Sequence, residues 1–439
     1  MRRSDLKTAL LLALLAFTLY NANLRPIAQG DSMPARFLPF LLWHHHTLYL
    51  DPMVELVAAS NPHPYWILRL PDGHHASLYP VVTPLLVAPL YLPAVAWLSH
   101  RGWTGERLFA MATIMEKLAA STVASLSVFL LYLTLRRRTG APTAVLLAVA
   151  YAFGTDTWTI SSQALWQHGA AQLFLVAALW AVTGPASRWT VPLAGLALGL
   201  LPANRPPDLL LALGFLPFLW GWTRGRRLPF LLSAALPCLL TLAFNLAVYA
   251  HPAGGYGVFG LTSPSSGFFH GSILEGVAGL LVSPARGLFV FSPFFLFLPF
   301  GLRKVFREGD QRLLAAGLLA AVVLQLLLYA RTDWRGGFSW GYRFLTDLVP
   351  ILIWLLVPIV EEQRRLARGV FLAALLFSVW VQTIGAFRYL GTSDRYVFRN
   401  GDPHDQDTSP AWDLAHCPIL IEARSPYAPR LLVYRLFSL

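Results

Sequence analysis

Charged side chains are scarce in this chain, so their positions carry weight. Asp31, in Gln29-Gly30-Asp31-Ser32, follows the first apolar run (residues 6–24) within a few residues. A carboxylate there, beside a glycine whose backbone lets a ligand approach closely, is placed to act as a general base on a hydroxyl at a membrane surface. The same residues also suit a helix start, with Asp31 or Ser32 as cap and Met33-Pro34 as first turn. Asp51, in Leu50-Asp51-Pro52, has the same two readings: a second acid that binds substrate or metal, or the cap of a helix carrying Glu55. His44-His45-His46 diverge by about 100° per residue on a helix and so rarely share an ion. With His63, His74 and His75 in the same loop, they permit a divalent metal without demanding one, and no metal ligand is assigned.

Further along, Glu116 and Lys117 interrupt the apolar run 108–135. Ionisable groups in such a run are functional suspects by default, with a mutual pair as the plainer reading. Trp158, Gln163, Trp166, Gln167 and His168 crowd one segment, where the tryptophans fit an interfacial belt and Gln and His suit hydrogen bonds to a sugar or phosphate. Arg205 and Asp208 lie three apart and are placed to pair with each other. Arg286, in Ser283-Pro284-Ala285-Arg286-Gly287, and Arg335 and Arg343, in the Gly-rich string 333–343, bring permanent charge and bidentate geometry. Their convergence points to an anionic headgroup, either a substrate's or that of the surrounding lipid.

The elements that must hold these residues are read from composition. Hydrophobic content of 56% with only 13% charged residues excludes an ordinary soluble domain. Apolar runs of bilayer-spanning length recur to the C-terminus, so the chain is an all-α polytopic membrane protein. Its net charge of +12 sits between apolar runs instead of on one face, which reports topology and argues against nucleic acid. Cys238 in an apolar run and Cys417 in the polar tail are unsuited to a mutual disulfide. The region after the first run, Tyr20-Asn21-Ala22-Asn23, lacks a small-x-small cleavage site, so that run reads as an uncleaved anchor. Short basic clusters, among them Arg2/Arg3/Lys7, Arg136-Arg137-Arg138, Arg224/Arg226/Arg227, Arg303/Lys304/Arg307/Arg312 and Arg364/Arg365/Arg368, are assigned to the cytoplasm. Residues 80–98, broken by Pro80, Pro84, Pro89 and Pro93, then read as an embedded or amphipathic segment on the outer side.

About eleven spans fit: roughly 6–24, 108–135, 141–154, 169–184, 190–203, 207–222, 228–250, 287–303, 312–330, 345–360 and 367–389. The transmembrane domain covers 1–390, including a first extracytoplasmic loop at 25–107 with juxtamembrane helices, and 391–439 forms a short extracytoplasmic tail. All but three of the 34 basic residues are arginine and no Asn-x-Ser/Thr sequon occurs, which leans toward a bacterial inner membrane.

Three pieces taken together, Gly30-Asp31-Ser32, Tyr79-Pro80-x-x-Thr83-Pro84-Leu85-Leu86 and the Trp334–Arg343 string, resemble polyprenyl-phosphate-sugar-dependent glycosyltransferases of the GT-C fold. The relatives in question are the protein O-mannosyltransferases and lipid A aminoarabinose transferases. The chain departs from them in having Ser32 where a paired acid is expected, and Val81 between the prolines of the juxtamembrane motif. The resemblance implies transfer of a sugar from a polyprenyl-phosphate donor to a hydroxyl of a glycan, lipid or protein at the periplasmic face, with inversion. Asp31 would be the general base. Arg343, Arg286, Arg335, Lys117, His168, Tyr79 and Asp51 would contact the substrates. Two alternatives remain open: a lipid-linked oligosaccharide polymerase or ligase leaning on outer-face arginines, and a non-enzymatic lipid or sugar transporter with broken helices around a midplane site.

Overall fold

The computed structural model describes residues 2–58, 61, 64–262, 271–306, 311–362, 364–402 and 405–437; His63 and Arg307 lie outside that set. Helix α1 (Arg3–Asn21) leads through a 3-10 turn at Gly30–Ser32 to α2 (Met33–His45) and α3 (Asp51–Ala58). A short antiparallel hairpin follows, β1 (Ile67–Arg69) against β2 (His75–Ser77), with Leu68 opposite Ala76. Then come α4 (Val82–Val87), α5 (Leu92–Arg101), α6 (Gly105–Leu135), α7 (Ala141–Phe153), α8 (Gln167–Val182) and α9 (Thr190–Asn204). Next are α10 (Leu209–Leu213), α11 (Leu216–Trp222), α12 (Arg227–Tyr249), α13 (Gly254–Thr262), α14 (Ile273–Val282), α15 (Leu288–Phe291) and α16 (Phe297–Val305). The chain closes with α17 (Arg312–Ala330), α18 (Val349–Glu361), α19 (Arg365–Arg388) and three short tail helices, α20 (Asp394–Val397), α21 (Pro418–Arg424) and α22 (Leu431–Phe437).

Among the described residues, six helical stretches are long and apolar enough to cross a membrane: Val82–Arg101, Gly105–Leu135, Arg227–Tyr249, Arg312–Ala330, Arg343–Glu361 and Arg365–Arg388. The first of these is the proline-bearing stretch expected to lie embedded on one side; its prolines sit at helix starts, where the missing N–H costs nothing. Four more apolar helices, α7, α8, α9 and α14, are shorter. The run 207–222, expected as one helix, breaks around Gly214 into α10 and α11. The run 287–303 breaks at Ser292-Pro293 into α15, a 3-10 turn and α16. Early charges at Arg3, Asp5 and Lys7 dilute the apolar run of α1. Its Leu10, Leu11, Leu14 and Leu15 are nevertheless exposed, as a face toward lipid requires, while Ala9, Ala16 and Tyr20 pack inward beside α6. Small residues let helix backbones approach. Gly195 and Gly199 of α9 do the same for α12, since a Cβ on Gly199 would run into the Ala234 carbonyl.

The basic clusters gather at one end of the bundle. Arg136 pairs with Asp5 at 2.9 Å, Thr139 donates to Glu361 at 2.6 Å, and Arg138 lies 3.9 Å from the Trp354 ring. The opposite end collects the loops: Trp166 Nε1 donates to Ile27 O (3.1 Å), Tyr249 donates to Ser77 O (2.7 Å) and Ser283 donates to Ala411 O (2.7 Å). At about 1.5 Å per residue, Lys117 stands about 27 Å along α6 from Leu135, close to the thickness of a hydrocarbon core. Glu116 and Lys117 therefore belong to the loop-bearing end and not to the midplane.

Candidate active site

Gly30–Ser32 forms the single 3-10 turn ahead of α2, and it turns the Asp31 side chain away from the helix it precedes. Ser32, the residue at the cap position, makes no side-chain capping bond. Asp31 is engaged elsewhere. Its Oδ1 accepts hydrogen bonds from the Tyr65 phenol at 2.5 Å and the Tyr79 phenol at 2.7 Å. Its Oδ2 accepts one from Arg343 Nη1 at 2.7 Å, across 312 residues of sequence. About a quarter of the Asp31 side chain stays exposed (25%).

Each partner is set by its own element. Tyr79 ends the hairpin: its N–H donates to Ser77 Oγ, and the Ser77 hydroxyl donates back to Tyr79 O. Arg343 emerges from a segment where Gly336, Gly337 and Gly341 all take positive φ, a fold that side-chain-bearing residues resist. Its guanidinium lies 4.8 Å from the Trp166 ring centroid. Burial pushes the Asp31 carboxyl upward, but the Arg343 charge and the two phenol donors outweigh it, and the net pKa lies below the ordinary 3.8. The Tyr65 and Tyr79 phenols are pushed upward, chiefly by burial and then by the Asp31 charge, so both stay protonated donors.

The remaining sequence candidates lie apart from this contact. His168 Nδ1 sits 2.8 Å from Asp347, which also pairs with Arg205; Arg205 thus turns to Asp347 instead of Asp208. Lys117 donates to Gln163 at 2.5 Å, and Glu116 pairs with Arg36 instead of Lys117. Arg286 is buried against Asp394 (2.9 Å) and the Arg335 carbonyl (2.8 Å). Arg335 grips Asp333 (2.8 Å) and the Asp407 carbonyl (2.9 Å). Asp51 binds the His74 and His75 rings and the His75 N–H at 2.7–2.9 Å, joining α3 to the hairpin. Among the described residues no group of three or more His, Cys, Asp or Glu side chains is arranged to hold a metal ion. Sequence reasoning missed Tyr65, whose sole local signal is an aromatic pair, Tyr65-Trp66, after Pro64.

Beside Tyr79 opens a cavity of about 260 Å³, walled by Tyr79, Tyr256, Pro206 and Phe244. Two more, of about 270 and 320 Å³, continue along α12; Phe244 lines all three, and the middle one is walled by Leu86, Leu200 and Leu240. Together they make a largely apolar groove that reaches Tyr79, one of the three residues bonded to Asp31. The outer flank of α12 is exposed apolar surface, with Leu228, Leu232, Leu236 and Leu239 all more than half exposed.

No family model and no curated sequence matches the chain. Among solved structures it is similar to ArnT from Cupriavidus metallidurans in the apo state, with a TM-score of 0.51 at 14% identity, over 89% of this chain. The chain spans 64% of the length of ArnT. ArnT is a lipid A aminoarabinose transferase, and this likeness gives the present chain a GT-C-like fold.

Proposed function

We propose that the protein is a membrane glycosyltransferase that moves a sugar from a polyprenyl-phosphate donor to an acceptor hydroxyl, with Asp31 as general base. The observation that carries the reading is the Asp31–Arg343 contact, joined through Tyr79 to an apolar groove. It puts a proton acceptor and a fixed cation within one hydrogen bond of each other, where a lipid chain has an apolar bed. The donor's prenyl chain would lie along α12, with its phosphate near Arg343 and Tyr256. The acceptor oxygen attacks the anomeric carbon from the side opposite the phosphate, the carbon–oxygen bond to phosphate breaks, and the configuration inverts. The hydroxyl proton passes to Asp31, and the bonding electrons leave on polyprenyl phosphate, whose charge Arg343 offsets. As the phosphate draws the guanidinium, Asp31 loses its strongest charge partner and becomes the better base. In this reading Arg286 and Arg335 hold the Arg343 loop and the tail in place, and His168 and Lys117 brace the walls behind it. This reading puts the basic clusters in the cytoplasm and the site and tail in the periplasm of a bacterial inner membrane.

The test is purified protein mixed with a panel of polyprenyl-phosphate sugars, scored by release of free polyprenyl phosphate. Asp31→Asn is expected to stay folded and lose about 10²–10⁴-fold in turnover, the range of general-base catalysis. Near-normal turnover by that variant removes Asp31 from the role.

A further inference from the structure

The Asp31 carboxylate offers about four lone-pair sites, two on each oxygen. Both on Oδ1 are taken, by the Tyr65 and Tyr79 phenols at 2.5 and 2.7 Å, and Arg343 takes one on Oδ2. The fourth site, on Oδ2, lies beside the Arg343 guanidinium, where the donor phosphate is placed, so an acceptor hydroxyl approaching Oδ1 has no place until one phenol leaves. The two phenols are mounted differently. Tyr79 is partly buried, bonded through its backbone to Ser77 and met edge-on by the Tyr256 ring at 5.8 Å. Tyr65 is 51% exposed, sits in the turn between α3 and β1, and among the described residues has no aromatic ring packed on it. Its ring lies across Gly30, where a Cβ would come within 2.5–2.7 Å of the phenol end. Only a glycine at 30 lets the ring lie there.

We propose that Tyr65 is a displaceable plug whose phenol stands in the seat of the acceptor hydroxyl, while Tyr79 stays in place as the fixed mount of Asp31. The proposal rests on the reading of Asp31 as base. A phenol and a sugar hydroxyl present the same O–H donor, so the 2.5 Å contact maps the acceptor's approach. When the acceptor O–H displaces the phenol, its oxygen bonds to the anomeric carbon, its proton moves to Oδ1, and the carbon–phosphate oxygen bond breaks with its electrons on the phosphate. Without an acceptor the plug keeps water off the base, which protects the donor from hydrolysis. The acceptor side of the site is thus the Tyr65–Gly30 face, while the groove is reached at Tyr79.

Tyr65→Phe keeps the ring over Gly30 and deletes the competing O–H. With a donor from the panel, octyl glucoside as probe hydroxyl and water as the rival nucleophile, two changes are expected. The KM for octyl glucoside falls by about tenfold, as it would if the seat were free one-tenth of the time in the parent protein, and donor hydrolysis without octyl glucoside rises by a similar factor. Tyr79→Phe is expected instead to lower kcat without lowering that KM. A Tyr65→Phe variant that loses kcat as Tyr79→Phe does, or hydrolyses donor no faster than the parent, overturns the plug. Full activity of Asp31→Asn sinks the base reading instead, so the two failures are distinguishable. A readout free of turnover uses 3-fluorotyrosine at 65 or 79 and fluorine NMR. Position 65 is expected to show two exchanging populations, with octyl glucoside favouring the displaced one, and position 79 a single one. A single static line at 65, unmoved by octyl glucoside, overturns the proposal.

Discussion

Burial works to keep a proton on Asp31, and the Arg343 guanidinium with the Tyr65 and Tyr79 phenols reverses that balance, so its pKa sits below 3.8. The sign follows by linkage. Because the folded-state value is depressed, the contact adds stability above the unfolded value that is lost as pH falls through the folded one. The base is likewise present throughout the neutral range. The acid limb of kcat/KM, which reports the free enzyme, is expected below pH 3.8 in the parent protein. In Arg343→Met burial stays while the charge partner goes, so the limb is expected to move upward. Turnover at pH 7 should also fall by about 10²–10³-fold, the cost of removing one donor from a developing anion. A limb that stays put in Arg343→Met means the guanidinium does not set Asp31's basicity. Gly30→Ala tests the same contact from beneath: its methyl would meet the Tyr65 phenol, so the Tyr65–Asp31 bond should break while α2 stays folded. Circular dichroism and the fluorine signal at 65 read the two apart.

Two kinds of seam hold the helices that frame this site. In the first, α9 presents Gly195 and Gly199 to α12, and a side chain at 199 has no room beside the Ala234 carbonyl. Gly199→Val is expected to lower the thermal midpoint in detergent, an overpacking cost of about 1–3 kcal/mol. Gly221→Ala in α11, where an added Cβ meets nothing within 4 Å, should leave it unchanged or raise it. Equal midpoints for the two variants would remove the seam. In the second, Arg286 and Asp394 pair out of water and join the loop after α14 to the tail. Arg286→Met strands a buried carboxylate, at a cost of about 3–5 kcal/mol, and should expose the tail to limited proteolysis; adding Asp394→Leu should restore part of the loss. This second seam also marks the limit of what sequence could tell. Asp31, Tyr79 and Arg343 were legible because each sits in a string of unusual composition, and the fold brings those three together. Arg286 and Arg335 carried the same signal, yet their partners are an aspartate 108 residues away and carbonyls of the tail. Nothing local separates an arginine that meets a ligand from one that meets its own chain. Tyr65 was silent because an irregular turn has no periodicity to read. The breaks at Gly214 and Ser292-Pro293 hid inside apolar runs, since hydropathy sums over residues and is blind to backbone direction.

The bundle as a whole has two unlike ends, and they carry an expectation about its orientation. Arg136, Arg137, Arg138 and Lys304 meet Asp5, Trp180, Trp354 and Glu362 at one end, while every ligand of Asp31 lies at the other. Basic residues in short loops are retained in the cytoplasm, so Asp31 and the tail are expected to lie outside. The chain's own two cysteines can decide this, because they occupy opposite environments. Cys238 lies on α12, where the surrounding leucines face lipid, and Cys417 caps α21 in the polar tail. A thiol reacts as thiolate, which needs water, and a thiol among leucines that face lipid has none. In right-side-out vesicles a membrane-impermeant maleimide is expected to label Cys417 and leave Cys238 unlabelled. In inverted vesicles neither should react until detergent is added. Labelling of Cys417 only in the inverted vesicles would put the tail, and with it Asp31, on the cytoplasmic side, where a lipid-linked donor presented to the periplasm could not reach the site.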